Sequence, residues 1–301
     1  MKNFIFFAIL LININYVSPL QAQENHISEY QTMMTYISSY IWQNQIVDTI
    51  PSSSNDTAII FDLDGVVLTT DKLQAFQEIG MATILQYVAT NWQLPSQARL
   101  FQILESVPAE SKFQAYNQGI LMPQIMVDWQ CSSQSLLSIQ LAMNRHIKNS
   151  AISDAEKNLL LQTTAMMTNP EKFIKTRKTI PAGVALLHEL KKAGYKLYVL
   201  SNWDAASFSL LQKKFPEIFI HNDENMFDGI MISGKIGTLK PERSMFEKCL
   251  TEFNITPAHA IFIDDTIENI QAADNLEMNT IHCNPQDIAP VRNKLIKILS
   301  K

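Results

Sequence analysis

Short apolar runs alternate with amphipathic segments in two parts of the chain. The run Ala58–Phe61 has branched and aromatic side chains and follows turn-forming residues at 51–56, a pattern typical of a buried strand. From Pro181 onward, helical patterns alternate with further apolar runs. We expect strands within these runs, at 195–202, 227–237, 260–265 and 279–283. Strands that alternate with helices form βαβ units, so the pattern predicts an α/β fold with a Rossmann-like parallel sheet.

Residues 75–177, between these two parts, have helical periodicity and almost no strand signal. They predict an all-helical cap domain that is inserted into the α/β core. Residues 24–50 also carry a rough apolar stripe of helical period. The predicted domains are an N-terminal helical extension and linker at 23–56, a core formed by 57–72 and 178–301, and the cap at 73–177.

Residues 1–22 have the layout of a secretory signal peptide. A basic start at Lys2 precedes an unbroken apolar stretch from Phe4 to Ile12, and polar and small residues lead on to Ala22. We expect cleavage after Ala22 and a periplasmic or secreted mature protein. The apolar stretch is too short for a comfortable transmembrane helix, so no stable membrane insertion is expected after processing. An uncleaved anchor is the alternative, because Leu20 before the cleavage site is not small.

Composition and charge narrow the class of protein. The chain of 301 residues is 47% hydrophobic and 18% charged, as expected for a globular protein rather than a disordered one. Its net charge of −5 argues against nucleic acid as a partner. Cys131, Cys249 and Cys283 show no metal-ligand spacing, so we expect buried thiols, with one disulfide as the alternative. The sequence does not indicate an oligomeric state.

Polar side chains stand where three of the predicted strands end. They are Asp62 with Asp64, Ser201 with Asn202, and Asp264 with Asp265. Open parallel sheets bind ligands at the carboxyl ends of their strands, so these groups should meet in one crevice. Lys240, at the start of a predicted helix, adds a cation that suits an anion. So much carboxylate oxygen predicts a hard cation such as Mg²⁺, while the lysine, hydroxyl and amide suit a phosphoryl group.

Four motifs carry a family resemblance. In chain order they read FDLDGVV, VLSN, GKIGTLKPE and IFIDDTIENIQAA. Together they resemble the four motifs of the haloacid dehalogenase superfamily, over residues 57–67 and 180–285. The insertion between the first and second motifs lies where this family carries a helical C1-type cap. The residues of the second and fourth motifs are most similar to the branch of sugar-phosphate phosphatases and of the phosphatase domain of soluble epoxide hydrolases.

The resemblance implies a role for each matching residue. Asp62 matches the nucleophile that forms an aspartyl-phosphate, and Asp64 matches the general acid and base. Ser201 matches the hydroxyl that binds the transferring phosphoryl group, with Asn202 beside it. Lys240 matches the lysine that offsets negative charge on the nucleophile and the phosphoryl group. The resemblance therefore implies hydrolysis of a small phosphomonoester.

The resemblance also implies a Mg²⁺ cofactor. Its ligands would be Asp62, the backbone carbonyl of Asp64, and Asp265, together with water molecules. Asp264 is then expected to contact the metal ligands rather than the metal itself. Asn269, one helical turn further along the chain, is expected to be its ordering partner. Asp264 and Asn269 would thus orient the metal ligands without binding the metal.

The favoured function is Mg²⁺-dependent hydrolysis of a small phosphorylated metabolite outside the cytoplasm. A dehalogenase is one alternative, although such enzymes generally lack the carboxylate that Asp64 supplies. A phosphomutase and a catalytically idle exported binding protein are the others. We expect the cap to select the substrate, with Gln114, Tyr116 and Trp129 as candidate contacts. Trp203, just after the second motif, either lines the entrance or packs against its neighbours.

Overall fold

The computed structural model describes residues 49–53, 57–117 and 119–300. The predicted signal peptide lies outside these residues, and so does the predicted N-terminal helix apart from residues 49–50. From Ile50 onward the chain forms one compact unit. Within the described residues, no helix is both long enough and apolar enough to span a membrane.

The first half of the chain supplies one strand of the central sheet and then a helical region. Strand β1 is Ala58–Phe61, and strand β2 is Leu68–Thr70. The helices that follow are α1 (Lys72–Ile79), α2 (Met81–Asn91), α3 (Gln97–Leu104), α4 (Gln124–Cys131), α5 (Leu136–Asn149), α6 (Asp154–Met167) and α7 (Pro170–Lys175). Serine and aspartate side chains cap several of them, as Ser153 does when it accepts a hydrogen bond from the Glu156 N–H.

A short hairpin interrupts the predicted all-helical cap. It pairs strand β3 (Tyr116–Asn117) with strand β4 (Ile120–Leu121) in antiparallel fashion, with Gly119 at a φ of 74° in the turn. Strands of this length cannot show the alternating pattern by which a strand is predicted from sequence. Between Lys72 and Lys175, the described residues therefore form helices, connecting loops and this hairpin.

The second half of the chain alternates strands and helices. In order, the elements are β5 (Arg177–Thr179), α8 (Pro181–Lys192), β6 (Lys196–Ser201), α9 (Ala205–Lys214), α10 (Pro216–Phe219), β7 (Ile220–His221), β8 (Glu224–Asn225), β9 (Gly229–Ile232), α11 (Ser233–Ile236), α12 (Arg243–Glu252), a 3₁₀ turn (Pro257–His259), β10 (Ala260–Asp264), α13 (Ile267–Asp274), β11 (Asn279–His282) and α14 (Ala289–Leu299). This alternation confirms the predicted α/β class.

The central sheet has the strand order β11-β10-β1-β6-β9, and the strand pairs are parallel. Successive residues of β1 face opposite sides of the sheet, so Ile59 and Phe61 enter the larger core cluster while Ile60 enters the smaller one. In the smaller cluster the ring of Phe246 on α12 meets that of Phe262 on β10 edge to face, with centroids 5.3 Å apart. The sheet is buried on both faces, as parallel sheets require.

The two crossings between the core and the helical region run side by side. Strand β2 pairs antiparallel with β5, so that Leu68 lies opposite Thr179 and Thr70 lies opposite Arg177. The sequence did not predict this pair. It brings the residues that leave the helical region next to the loop that follows β1.

The cysteines Cys131, Cys249 and Cys283, all within the described residues, are free and buried. Burial raises the pKa of each thiol to about 12. They are therefore protonated thiols that pack as small apolar groups.

Candidate active site

Asp62 lies at the carboxyl end of β1, in the middle of the sheet. Its Oδ1 atom accepts hydrogen bonds from the Leu63 N–H at 2.7 Å and from the Ser201 hydroxyl at 2.5 Å. Lys240 Nζ lies 3.0 Å from the same oxygen. Ser201 ends the neighbouring strand β6, so the parallel pairing of β1 with β6 places it here. The predicted meeting of these three side chains is present in the structure.

Lys240 is fully buried between two carboxylates. Its ammonium lies 2.6 Å from Asp264 Oδ2 as well as 3.0 Å from Asp62. Burial alone would lower the pKa of Lys240, but the charges of Asp264 and Asp62 raise it above its ordinary value. The lysine is therefore a fixed positive charge at the end of the sheet.

Asp264 has hydrogen-bond donors on both of its carboxylate oxygens. Besides Lys240, it accepts from the Thr266 N–H at 2.8 Å and from Asn269 Nδ2 at 3.0 and 3.1 Å. Burial raises the pKa of Asp264, and the charge of Lys240 together with hydrogen bonds from Lys240 and the Thr266 N–H opposes that rise. Asp264 thus holds Lys240 in place, and Asn269 donates to Asp264. The role of Asp264 and Asn269 in orienting metal ligands stays a prediction.

Asn202 makes a contact that the sequence did not predict. Its Oδ1 accepts from the Lys240 N–H at 2.9 Å, and its Nδ2 donates to the Lys240 carbonyl at 2.9 Å. The amide therefore fixes the backbone from which the buried lysine extends. Contact between Asn202 and substrate stays a prediction.

Asp64 lies at the open side of the crevice, with 41% of its side chain exposed. Arg177 Nη1 donates to Asp64 Oδ1 at 3.2 Å and to the Thr70 hydroxyl at 2.8 Å. Desolvation raises the pKa of Asp64, Arg177 acts in the opposite direction, and the charge of Asp62 raises it again. Because much of the side chain stays exposed, solvent limits these effects.

Arg177 is a residue of the candidate site that sequence reasoning missed. It lies on β5, more than a hundred residues after Asp64, and only the β2–β5 pairing brings the two together. Its guanidinium carbon also lies 4.3 Å from the centroid of the Phe173 ring. Nothing in the residues around Arg177 signals this contact in the sequence.

Asp265 approaches the loop after β1 so closely that only glycine fits there. Gly65 has a φ of 76°, and a Cβ atom at this position would lie 2.2 Å from Asp265 Cγ. Burial and the charges of Asp62, Asp264 and Asp64 raise the pKa of Asp265 to about 8. Lys240, which opposes this rise, is held by two other carboxylates, so Asp265 has an unbalanced negative charge when ionised.

Three carboxylates could hold a metal ion. Asp62, Asp264 and Asp265 each offer an oxygen, and these oxygens lie within 4.8 Å of one another. Asp264 already accepts hydrogen bonds on both oxygens, so Asp62 and Asp265 are the freer ligands. The set is all oxygen, which suits Mg²⁺ rather than a softer metal.

A cavity of about 450 Å³ opens from this crevice into the cap. Tyr116 and Trp129, two of the candidate substrate contacts, line it, and so does Trp203. Gln114 is not among the described residues that line it. The Gln114 N–H instead donates to Glu242 Oε1 at 3.1 Å, where cap and core meet.

Comparison with known families decides the identity of the fold. A family model described as haloacid dehalogenase-like hydrolase matches residues 57–276. The chain belongs to this family. The resemblance found in the four motifs is therefore confirmed, and the protein is a haloacid dehalogenase-like hydrolase with a parallel α/β core.

Phosphatases are among the similar curated proteins. A sesquiterpene phosphatase from Aspergillus oryzae is 34% identical over 98 residues, which are 33% of this chain and 47% of that protein. A glyceraldehyde 3-phosphate phosphatase from Pyrococcus furiosus is 30% identical over 111 residues, which are 36% of this chain and 43% of that protein. The chain thus matches less than half of the length of these relatives.

A solved structure shares the fold. It is a haloacid dehalogenase family enzyme from Bacteroides thetaiotaomicron in complex with magnesium and inorganic phosphate. The TM-score is 0.50 at 16% identity, over 79% of this chain and 99% of that one. At this identity the likeness concerns the fold alone.

Proposed function

We propose that this hydrolase is a Mg²⁺-dependent phosphatase that cleaves a small phosphomonoester through an aspartyl-phosphate on Asp62. The convergence of Ser201 and Lys240 on one oxygen of Asp62 carries the proposal. A carboxylate held by a hydroxyl and an ammonium is oriented and charge-balanced, as a nucleophile for an anionic phosphoryl group must be. The phosphatases among the similar proteins support the same reaction.

The first step forms the aspartyl-phosphate. The carboxylate of Asp62 attacks phosphorus beside the Ser201 hydroxyl and the Lys240 ammonium, which both reach its Oδ1. As the bond from Asp62 to phosphorus forms, the bond from phosphorus to the ester oxygen breaks. Asp64, which lines the same cavity, gives its proton to the departing alcohol.

The second step releases phosphate. Asp64, now a carboxylate, takes a proton from a water molecule, whose oxygen attacks phosphorus as the bond to Asp62 breaks. The Ser201 hydroxyl and the Lys240 ammonium are positioned to donate to phosphoryl oxygens in both steps. Each residue returns to its starting protonation state.

The donor set fits a magnesium ion. Asp62, Asp265 and the backbone carbonyl of Asp64 would hold it, with Asp264 and Asn269 behind them. The raised pKa of Asp265, caused by burial and by the neighbouring carboxylates, indicates that this cluster lacks a positive charge. Bound Mg²⁺ would supply that charge and would neutralise phosphoryl oxygens.

The other candidate functions receive less support. Asp64 lies in the crevice with Arg177 on its carboxylate, and a dehalogenase has no step that needs this acid. An idle binding protein would not need a buried lysine held by two carboxylates. A phosphomutase would use the same residues, so the fate of the phosphoryl group must separate it from a phosphatase.

We extend the proposal to the location of the protein and to the molecule that it binds. The signal peptide predicted at residues 1–22 supports export, with the mature chain in the periplasm or outside the cell. The partner we propose is a small phosphorylated metabolite, with no nucleic acid and no lasting membrane insertion. Mass spectrometry of the protein from its native host tests export, and an intact Met1 in a cytosolic fraction would contradict it.

A screen of phosphomonoesters tests the activity. Protein that begins at Gln23 is assayed for phosphate release with Mg²⁺ and again with a chelator, alongside a haloacid as a dehalogenase substrate. We expect phosphate release only with Mg²⁺. Halide release without metal would favour a dehalogenase, and transfer of the phosphoryl group to a second hydroxyl without free phosphate would favour a phosphomutase.

A further inference from the structure

The cavity that opens into the cap has an apolar inner wall. Its volume of about 450 Å³ lies within the range of roughly 300–1,000 Å³ for cavities that bind small organic molecules. The wall takes buried side chains from α4, α6 and α7 and from the segment just before α4. They are Met122, Met126, Trp129, Met166, Met167 and Phe173.

The cations of this cavity are already paired. Among the described residues that line it, they are Arg99, Arg177 and Lys240. Arg99 Nε lies 2.6 Å from Glu156, and the other two are paired with carboxylates of the catalytic crevice. A second phosphate or a carboxylate on the ligand would find no spare cation there, and a buried unpaired charge is costly.

Polar side chains are sparse along the inner wall. Ser96 and Asn117 line the cavity but are exposed, so they lie at its rim. The Thr163 hydroxyl donates to a backbone carbonyl of its own helix at 2.8 Å. Five buried polar atoms of the lining have no partner among the described residues, namely the indole N–H groups of Trp129 and Trp203, Arg177 Nε, Gln130 Oε1 and Asp204 Oδ2. These atoms can pair with a few polar atoms of a ligand, whereas hydroxyls that face the methionines of the inner wall would remain unpaired.

We infer that this cavity selects phosphomonoesters of alcohols with a largely apolar body over phosphosugars. The inference rests on the proposed function, because the alcohol is the leaving group of that reaction. Methionine side chains are unbranched and polarisable, so they adapt to apolar groups of different shape. We therefore expect a class of alcohols rather than a single one.

A series of alkylphosphonates from ethyl to octyl tests the inference. Phosphonates resist hydrolysis, so their affinity is independent of catalysis and can be measured by calorimetry on the full chain with Mg²⁺. We expect the Kd to fall about 4-fold per added methylene until the cavity is filled. A Kd that does not change with chain length, or tighter binding of a phosphonate analogue of glucose 6-phosphate than of octylphosphonate, would overturn the inference.

Two variants locate the effect. Met126→Gln and Met166→Gln, on different helices, should each weaken octylphosphonate about 10-fold more than ethylphosphonate, because a buried amide replaces an apolar contact. Leu141→Gln is the control, since Leu141 is 55% exposed on α5. Equal weakening of both phosphonates, or the same loss in the control, would contradict the assignment of this wall.

Hydrolysis of phenyl phosphate, measured in parallel, tests the proposed phosphatase activity independently of the selectivity for the alcohol. If phenyl phosphate is hydrolysed but the Kd of the alkylphosphonates does not change with chain length, the inferred selectivity is wrong and the proposed activity stands. If chain length controls affinity but no ester is hydrolysed, the selectivity stands and the activity is wrong.

Discussion

The crevice at the sheet edge and the cavity in the cap are built from different contacts. In the crevice, Lys240 and Asp264 are fully buried, and their charges meet partners at 2.6–3.0 Å. In the cap, the wall is formed by methionine and aromatic side chains that make non-directional contacts. Buried polar groups require specific hydrogen-bond or charge partners, whereas apolar groups require only to be removed from water. The reaction should therefore depend steeply on single residues of the crevice, and selection of the alcohol should depend gradually on many residues of the cap.

The largest expected effect separates two aspartates of the crevice. Asp62→Asn removes the proposed nucleophile, so hydrolysis of every ester should stop and no phosphoenzyme should form. Asp64→Asn removes the proposed proton donor and later base, a role worth roughly 10²–10⁴-fold in rate. An aryl phosphate hardly needs a proton on its leaving group, so the Asp64 variant should accumulate phosphoenzyme from an aryl ester but little from an alkyl ester.

Rapid-quench trapping of the phosphoenzyme measures this difference on the two substrates. Each aspartate variant is the matched control of the other, because both replace a carboxylate by an amide in the same loop. Turnover of both esters at wild-type rates by Asp64→Asn would mean that Asp64 is only a turn residue.

The next largest effect is expected from alanine substitution of a glycine in the crevice, compared with the same change at a glycine in the cap. Gly65 and Gly119 have φ values of 76° and 74°, so alanine costs roughly 1–2 kcal/mol of backbone strain at either position. At Gly119 a Cβ would meet nothing within 4 Å, whereas at Gly65 it would clash with Asp265. Gly65→Ala should therefore lose about 100-fold in kcat/KM, the cost of an ångström-scale misplacement, while Gly119→Ala keeps near-wild-type kcat/KM.

Equal kinetic losses in the two glycine variants would show that strain alone is responsible. Urea unfolding of both variants supplies the reference for that strain. Mg²⁺ titration then shows whether Gly65→Ala weakens the metal site, as displacement of Asp265 requires.

The sequence predicts the crevice because its signals are local. Asp62 and Asp64 directly follow an apolar run, and the parallel sheet brings the ends of neighbouring strands together. Arg177 gives no such signal, because it reaches Asp64 through a pair of strands too short to show alternation. The pairing of Asn202 with the Lys240 backbone depends on a loop conformation that spacing does not reveal.

The cap illustrates the other limit of sequence reasoning. Met126 and Met143 both lie on helices within the region predicted to be helical, and both are buried. Met126 lines the cavity, while Met143, on α5, packs in the closed core. Which apolar face borders a cavity depends on how helices from distant parts of the chain pack, so the pattern of a single helix cannot reveal it.

A smaller effect concerns charge repulsion in the crevice. Burial and neighbouring carboxylates raise the pKa of Asp265 to about 8, against an ordinary value of 3.8. Between these two pH values the folded chain binds a proton that the unfolded chain releases, so stability without metal should fall as the pH rises across that window. Asp265→Asn should unfold a few degrees above wild type at pH 8 in a chelator, and this gain should shrink at pH 5.

Thermal unfolding with and without Mg²⁺ checks this prediction. Added Mg²⁺ should stabilise wild type more than Asp265→Asn, since the variant lacks a proposed ligand. Asp223→Asn is the control, because Asp223 is exposed at a φ of 65° that asparagine tolerates. An equal response of all three proteins to Mg²⁺ would contradict the assignment of Asp265 as a ligand.

The smallest effect is expected at Arg177, which joins the two regions by bonding Asp64 and packing on Phe173. Because 41% of the Asp64 side chain is exposed, solvent weakens the ion pair to about 0.2–1 kcal/mol, or at most about 5-fold in rate. Arg177→Gln should slow an alkyl ester by up to that factor and an aryl ester less, because only the alkyl leaving group depends on the acid that Arg177 orients. Arg243→Gln, which breaks an exposed pair with Glu247, is the control. Equal slowing of both esters would mean that Arg177 supports the fold of the crevice rather than the proton transfer.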